Sequence, residues 1–233
     1  MEITYPVKEA NIAELKIGGK LVQYKIPPAV GTHSQVFQEL LNDDSLETAQ
    51  GEQIAAYVHG CLHKKNEWAD QNRVRFPSKN YLRIPAVLTI VPKNRKFGDL
   101  EGGMLVDTDL AGEGIEMQTE VPNDLTGWEE SDGGILKKGS RLFVPHNSWY
   151  KNQWDKFNGV VIALVTHEGA ESLDKIAQDT GRTYKPLWKV NPNEIKSPMK
   201  RVPVLGSDGA VRLILGCNDC GDGRYGSGVG VLK

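Results

Sequence analysis

In the stretch LILGCNDCGDGRYGSGVGVLK, Leu213 to Lys233, Cys217 and Cys220 stand three positions apart. A pair at that spacing can bind zinc or exchange a disulfide. Zinc needs two further ligands, and the only other cysteine is Cys61. A redox pair opens a helix after a strand. Here Asn218 and Asp219 lie between the cysteines and Gly221 follows, which opposes a helix. Gly221, Gly223 and Gly226 spell a G-x-G-x-x-G. A dinucleotide site needs a helix N-terminus behind those glycines, and only seven turn- or strand-like residues follow Gly226. Asn218, Asp219 and Asp222 start like a calcium loop, but no bidentate glutamate comes at the required distance.

The other candidates read as structure. In HGCLH, His59 and His63 share a helical face and Cys61 lies on roughly the opposite one, with Ile54 and Tyr57. No acidic general base accompanies the histidines. The expectation is a core cysteine and two largely exposed histidines. Asp107, Asp109, Glu113 and Glu116 read as a solvated acidic loop. Trp149, Tyr150, Trp154 and Phe157 read as core aromatics, with an aromatic binding rim as the alternative. No Ser/His/Asp set, carboxylate pair or phosphate loop emerges. The expectation is therefore a non-enzymatic protein with no catalytic residue, no metal and no cofactor.

Bulk properties narrow the class. A chain of 233 residues with net charge −2 is not built around nucleic-acid phosphate, so no nucleic-acid partner is expected. The longest apolar run, Val160 to Val165, is far too short to span a bilayer. The opening MEITYPVKEANIAELKIGGK lacks the basic and apolar regions of a secretory signal. Three cysteines make an odd count for a disulfide framework. Cytoplasmic synthesis is expected, with the final location open.

The elements that must position these residues follow from periodicity. Ala13 to Ile26 alternates around Gly18 and Gly19, a hairpin signal. Thr32 followed by Gln35 fits a capping box, and Val36, Phe37, Leu40 and Leu41 then share a helical face. A second helix is expected from about Leu46 to Lys65. YLRIPAVLTIVP (Tyr81 to Pro92) and GGMLVDTDL read as strands, residues 107–140 as a long irregular excursion, and RLFVPHNSWY and GVVIALVTH as strands. GAESLDKIAQDTG is a short helix with Leu173, Ile176 and Ala177 on one face, stopped by Gly181. YKPLWKVNPNEIKSP is a proline-punctuated connector. RVPVLG, AVRLILG and SGVGVLK are terminal strands. Early helices followed by many strands and long loops give an α+β class, and a length of 233 residues allows one large domain or two small ones.

With the motifs set aside, CNDCGDGRYGS has the composition of a binding surface. Tyr and Arg give large contacts, while Ser, Gly and Asn give adaptable hydrogen bonds. An ordinary glycine-rich loop is the plainer reading. In its order of parts the chain resembles the variable proteins of diversity-generating retroelements, which carry a C-type lectin-like fold. The parts are THSQVFQELL, the helix around Ile54 to Leu62, the long irregular middle, RVPVLGSDGAVRLILG and the closing SGVGVLK. The resemblance implies a single domain over 1–233 with two early helices, mixed and antiparallel strands, long irregular loops and a variable region at about 202–233. It also implies a binding role. Adenine-rich template codons, when mutated, yield the residue set found here. The variable, ligand-contacting positions would be Cys217, Asn218, Asp219, Cys220, Asp222, Arg224, Tyr225 and Ser227, facing a protein or cell-surface ligand. Val204, Leu205, Leu213, Leu215, Val229 and Val231 would be scaffold. The alternative is a metal-binding or formylglycine-generating-like enzyme using Cys217 and Cys220.

Overall fold

A computed structural model describes residues 12–17, 20–26, 28–62, 81–108, 120–131, 134–149, 155, 157–187, 193–208, 212–219 and 226–233. Strands β1 (Ile12–Ile17) and β2 (Lys20–Lys25) form the expected hairpin, with Leu15 opposite Val22. β3 (Ala29–Gly31) leads into α1 (His33–Leu41). The capping box is complete: Gln35 N–H donates to Thr32 Oγ1 at 3.3 Å and Thr32 N–H to Gln35 Oε1 at 3.0 Å. Val36, Phe37 and Leu40 are buried, whereas Leu41 faces outward.

The second helix begins later than expected. Leu46–Thr48 is a strand, β4, and α2 runs Gly51–Leu62. β4 is drawn out of the helix by pairing, since Leu46 lies opposite Leu232 and Thr48 opposite Gly230. Then come β5 (Tyr81–Arg83), β6 (Val87–Phe97) and β7 (Leu100–Asp107). The expected excursion holds a hairpin, β8 (Glu129–Ser131) and β9 (Ile135–Lys138), followed by β10 (Arg141–Pro145) and the single turn α3 (His146–Trp149).

GVVIALVTH is helical, not a strand: it is the first half of α4, Gly159–Asp179. Asn158 Oδ1 caps it, accepting from Val160 N–H at 3.0 Å and Val161 N–H at 3.2 Å. The far end closes as a Schellman motif, Arg182 N–H to Ala177 O and Gly181 N–H to Gln178 O, with Gly181 at φ +72°. The connector read after it contains β11 (Thr183–Leu187). β12 (Met199–Asp208), β13 (Arg212–Asp219), β14 (Gly226–Gly228) and β15 (Gly230–Leu232) complete the order.

The class is α+β, mostly sheet with few helices. One sheet has four strands in the order β1-β2-β15-β4. The other has eleven, along β3-β14-β5-β12-β6-β7-β10-β9-β8, with β13 on β12 and β11 parallel to β13. The closing segment joins them, because β14 belongs to the large sheet and β15 to the small one, with buried Val229 between. The main core lies between the sheets and the packed pair α2 and α4, and Tyr24, Tyr57, Leu88, Ile90, Leu173 and Leu213 are at its centre. Each such side chain contributes about 1.5–3 kcal/mol by leaving water. A second cluster sets α1 against the closing segment through Val36, Phe37 and Leu40. A third lies around Phe97 and Phe143.

Candidate functional site

The closing strands are fixed from both sides. β12 is central, and β13 pairs with it along its length, from Asp208 opposite Arg212 to Arg201 opposite Asp219. On its other side β12 meets β6 through Met199 to Arg201 and β5 through Val204 and Leu205. The six expected scaffold residues, Val204, Leu205, Leu213, Leu215, Val229 and Val231, are all buried.

The glycines of SGVGVLK have a packing reason. A Cβ on Gly228 would come within 2.0 Å of Val36 Cγ1, and one on Gly230 within 2.9 Å of Leu40 Cδ2. Helix α1 lies directly on the backbone of β14 and β15. A side chain at Gly228 would push it away.

The proposed contact residues divide between strand and connection. Cys217, Asn218 and Asp219 are in β13 rather than in a loop, paired with Pro203, Val202 and Arg201. Ser227 is in β14, opposite Val30, whose side chain is 57% exposed. Cys220, Asp222, Arg224 and Tyr225 lie outside the described residues. β13 and β14 are not neighbours, since β12 and β5 stand between them. The segment therefore joins two separate places in one sheet instead of closing a hairpin. Its ends are set at Asp219 beside Arg201 and at Gly226 beside Gly31 and Tyr81.

The other sequence candidates fall elsewhere. Cys61 is buried in the main core, as expected, and burial pushes its thiol pKa up, partly offset by a hydrogen bond with Tyr57. His59 is half-buried rather than largely exposed, with its Nδ1 enclosed, because its face of α2 is partly covered. His63 lies outside the described residues. Among the described residues no three His, Cys, Asp or Glu side chains are grouped to hold a metal ion. Of the acidic run, Asp107 is bridged by Arg141 at 3.8 Å, and Asp109, Glu113 and Glu116 are outside the described residues. Phe157 is more exposed than a core residue, stacked on His167 with ring centres 4.9 Å apart, while Trp149 is in α3 and Tyr150 and Trp154 are outside the described residues.

Sequence reasoning missed a cleft of about 600 Å³ where α4 crosses the joint between β5 and β6. Ile84, Pro85, Ala86, Ala163 and Leu164 line it together with Gln50, Thr108, Thr166 and Glu168. Thr166 breaks α4 into two halves at φ +61°, ψ 172°. A β-branched residue there is strained by about 1–3 kcal/mol. It recoups part of this as a cap: its Oγ1 accepts from Gly169 N–H at 3.2 Å. Glu168 is held as a carboxylate, its pKa lowered first by its own backbone N–H and then by the Thr166 hydroxyl. Among the described residues Glu168 is the one titratable group lining this cleft, which gives it an apolar floor and an anionic acceptor. The resolved shifts elsewhere also run away from neutrality, upward by burial at Tyr24, Tyr57 and Tyr184 and downward by turn hydrogen bonds at Asp43 and Asp124. Among the described residues no helix is long and apolar enough to cross a membrane.

Compared with known proteins, the chain matches no family model, no curated protein and no solved structure.

Proposed function

We propose that the chain is a non-enzymatic ligand-binding protein that presents residues 217–227 on a fixed framework, with side chains there free to vary in identity. The observation that carries the reading is the contrast at the ends of that segment. On either side every scaffold residue is buried, from Val204 and Leu205 through Leu213 and Leu215 to Val229 and Val231, and both ends are hydrogen-bonded into the large sheet. A backbone held in that way lets side chains change at little cost to stability. Val30, exposed opposite Ser227, adds an apolar contact beside the segment.

The finer reading is a variable protein of a diversity-generating retroelement with a C-type lectin-like fold. It is supported by the order of parts: a capped first helix, a second helix, a strand-rich middle, and a glycine-containing closing strand after the segment. The ligand class is a protein or cell-surface molecule, engaged through Cys217, Asn218, Asp219, Cys220, Asp222, Arg224, Tyr225 and Ser227. The test is genomic. The reading expects a near-copy of the DNA encoding this segment, differing at adenines, beside a reverse transcriptase gene. A completed genome without either contradicts it.

A further inference from the structure

The hairpin of β6 and β7 borders a second cleft, which shares no residue with the closing segment. β6 contains the run Pro92-Lys93-Asn94-Arg95-Lys96. In a regular strand residues three apart point to opposite faces, so Lys93 and Lys96 would be separated. Here both line one cleft of about 420 Å³, together with Asn94, Glu101, Asn193 and Lys196 over a floor of buried Ile195.

A bulge brings them together. Val91 pairs with Gly103 and Lys96 with Glu101, so the four residues from Pro92 to Arg95 stand against Gly102 alone. That odd shift reverses the side-chain alternation and leaves residues 93–96 all exposed. The bulge depends on Gly102, which sits at φ +20°, and whose Cβ would come within 2.4 Å of Pro92 O and 2.8 Å of Lys93 Cα. Arg95 turns the other way, donating to Pro122 O at 3.3 Å and lying over the Phe97 ring.

The charge is one-sided. Three lysines face one carboxylate, Glu101, which is paired to Lys93 at 3.4 Å. Lys96 and Lys196 have no ion pair among the described residues. Among the described residues the lining therefore carries two positive charges in excess, on a chain whose net charge is −2. Lysines act as point charges and recognise charge more than shape. The volume is that of a small-molecule site, and the overall negative charge disfavours a long polyanion.

The geometry points to a binding site for a small, multiply charged oxyanion of the phosphate class, held by Lys96 and Lys196 with Lys93 released from Glu101 on binding. The test is calorimetric titration of the full chain with pyrophosphate at low ionic strength. The result expected is saturable one-to-one binding. The Lys96→Gln/Lys196→Gln variant should weaken it by about tenfold or more with an unchanged melting temperature, and Glu101→Gln should tighten it, by about threefold. Absence of saturable heat, or equal binding by the lysine variant, overturns the site. Parallel titrations use a short single-stranded oligonucleotide and vesicles carrying a phosphorylated lipid. Binding of either about a hundredfold tighter than pyrophosphate, with a steeper salt dependence, overturns the assignment to a small free ligand.

Discussion

Gly228 and Gly102 both lie in sheet regions where a side chain has no room, yet they serve opposite ends. At Gly228 the neighbour is a side chain, Val36 on α1, and the missing Cβ lets a helix settle on the closing segment. At Gly102 the neighbour is backbone, Pro92 and Lys93, and the missing Cβ lets a strand buckle so that its lysines turn outward. The first glycine hides a strand and the second exposes one. What approaches a glycine thus decides whether it serves the core or a surface.

The largest expected effect tests the buried side of this comparison. Leu213, fully buried in β13, should cost about 2–5 kcal/mol when changed to Ala, because a cavity remains. Chemical denaturation with an unchanged midpoint would remove Leu213 from the core and undo the framework. Next come the glycines. Gly228→Ala and Gly102→Ala should each destabilise by about 1–3 kcal/mol. They separate in a double-variant test. Val36→Ala should recover about 1 kcal/mol of the Gly228→Ala loss, whereas no side-chain truncation should recover Gly102→Ala. Equal responses would show that the two glycines are not different in kind.

A smaller effect concerns the rim of the framework. Asp43 accepts from Ser45 and from Lys25, which lies 3.0 Å away on β2, and its carboxyl is held below the usual range, chiefly by the Ser45 hydroxyl. A depressed folded pKa contributes stability above the unfolded value and loses it as pH falls through the folded one. The melting-temperature gap between the parent and Asp43→Asn should therefore be present at neutral pH and narrow below about pH 4. A gap that is constant with pH would mean the pair contributes only shape.

Much of the framework was legible because its signals are local. The hairpin from Ile12 to Lys25, the Thr32–Gln35 capping box and the alternation that buries Leu213 and Leu215 each depend on neighbours a few residues away. Helix α4 was misread for a definable reason. Val160, Val161, Ala163, Leu164 and Val165 are all buried, and an apolar run of that length looks the same as a strand or as a buried helix. Its distinguishing mark was Asn158, whose side chain caps the first turn. β11 was hidden by Pro186, which is tolerated because among the described residues this strand pairs on one side only. The basic cleft was illegible since a bulge changes parity, and alternation places Lys93 and Lys96 apart. Of the candidate segment, residue types and flanking strands were readable. The separation of β13 from β14 by two other strands was not, because sheet order depends on pairing between residues distant in sequence.

The smallest expected stability change carries the central claim, that residues 217–227 are display rather than scaffold. Asn218, Asp219, Asp222, Arg224 and Tyr225 are replaced together by Ala or Ser and the thermal unfolding curve is compared with that of Leu213→Ala. Exposed positions each change stability by about 0.5 kcal/mol or less in either direction, so that five such changes largely cancel. The five-fold variant should melt within a few degrees of the parent, well above Leu213→Ala. Unfolding of the five-fold variant at or below the temperature of Leu213→Ala would contradict it and place these side chains in the scaffold.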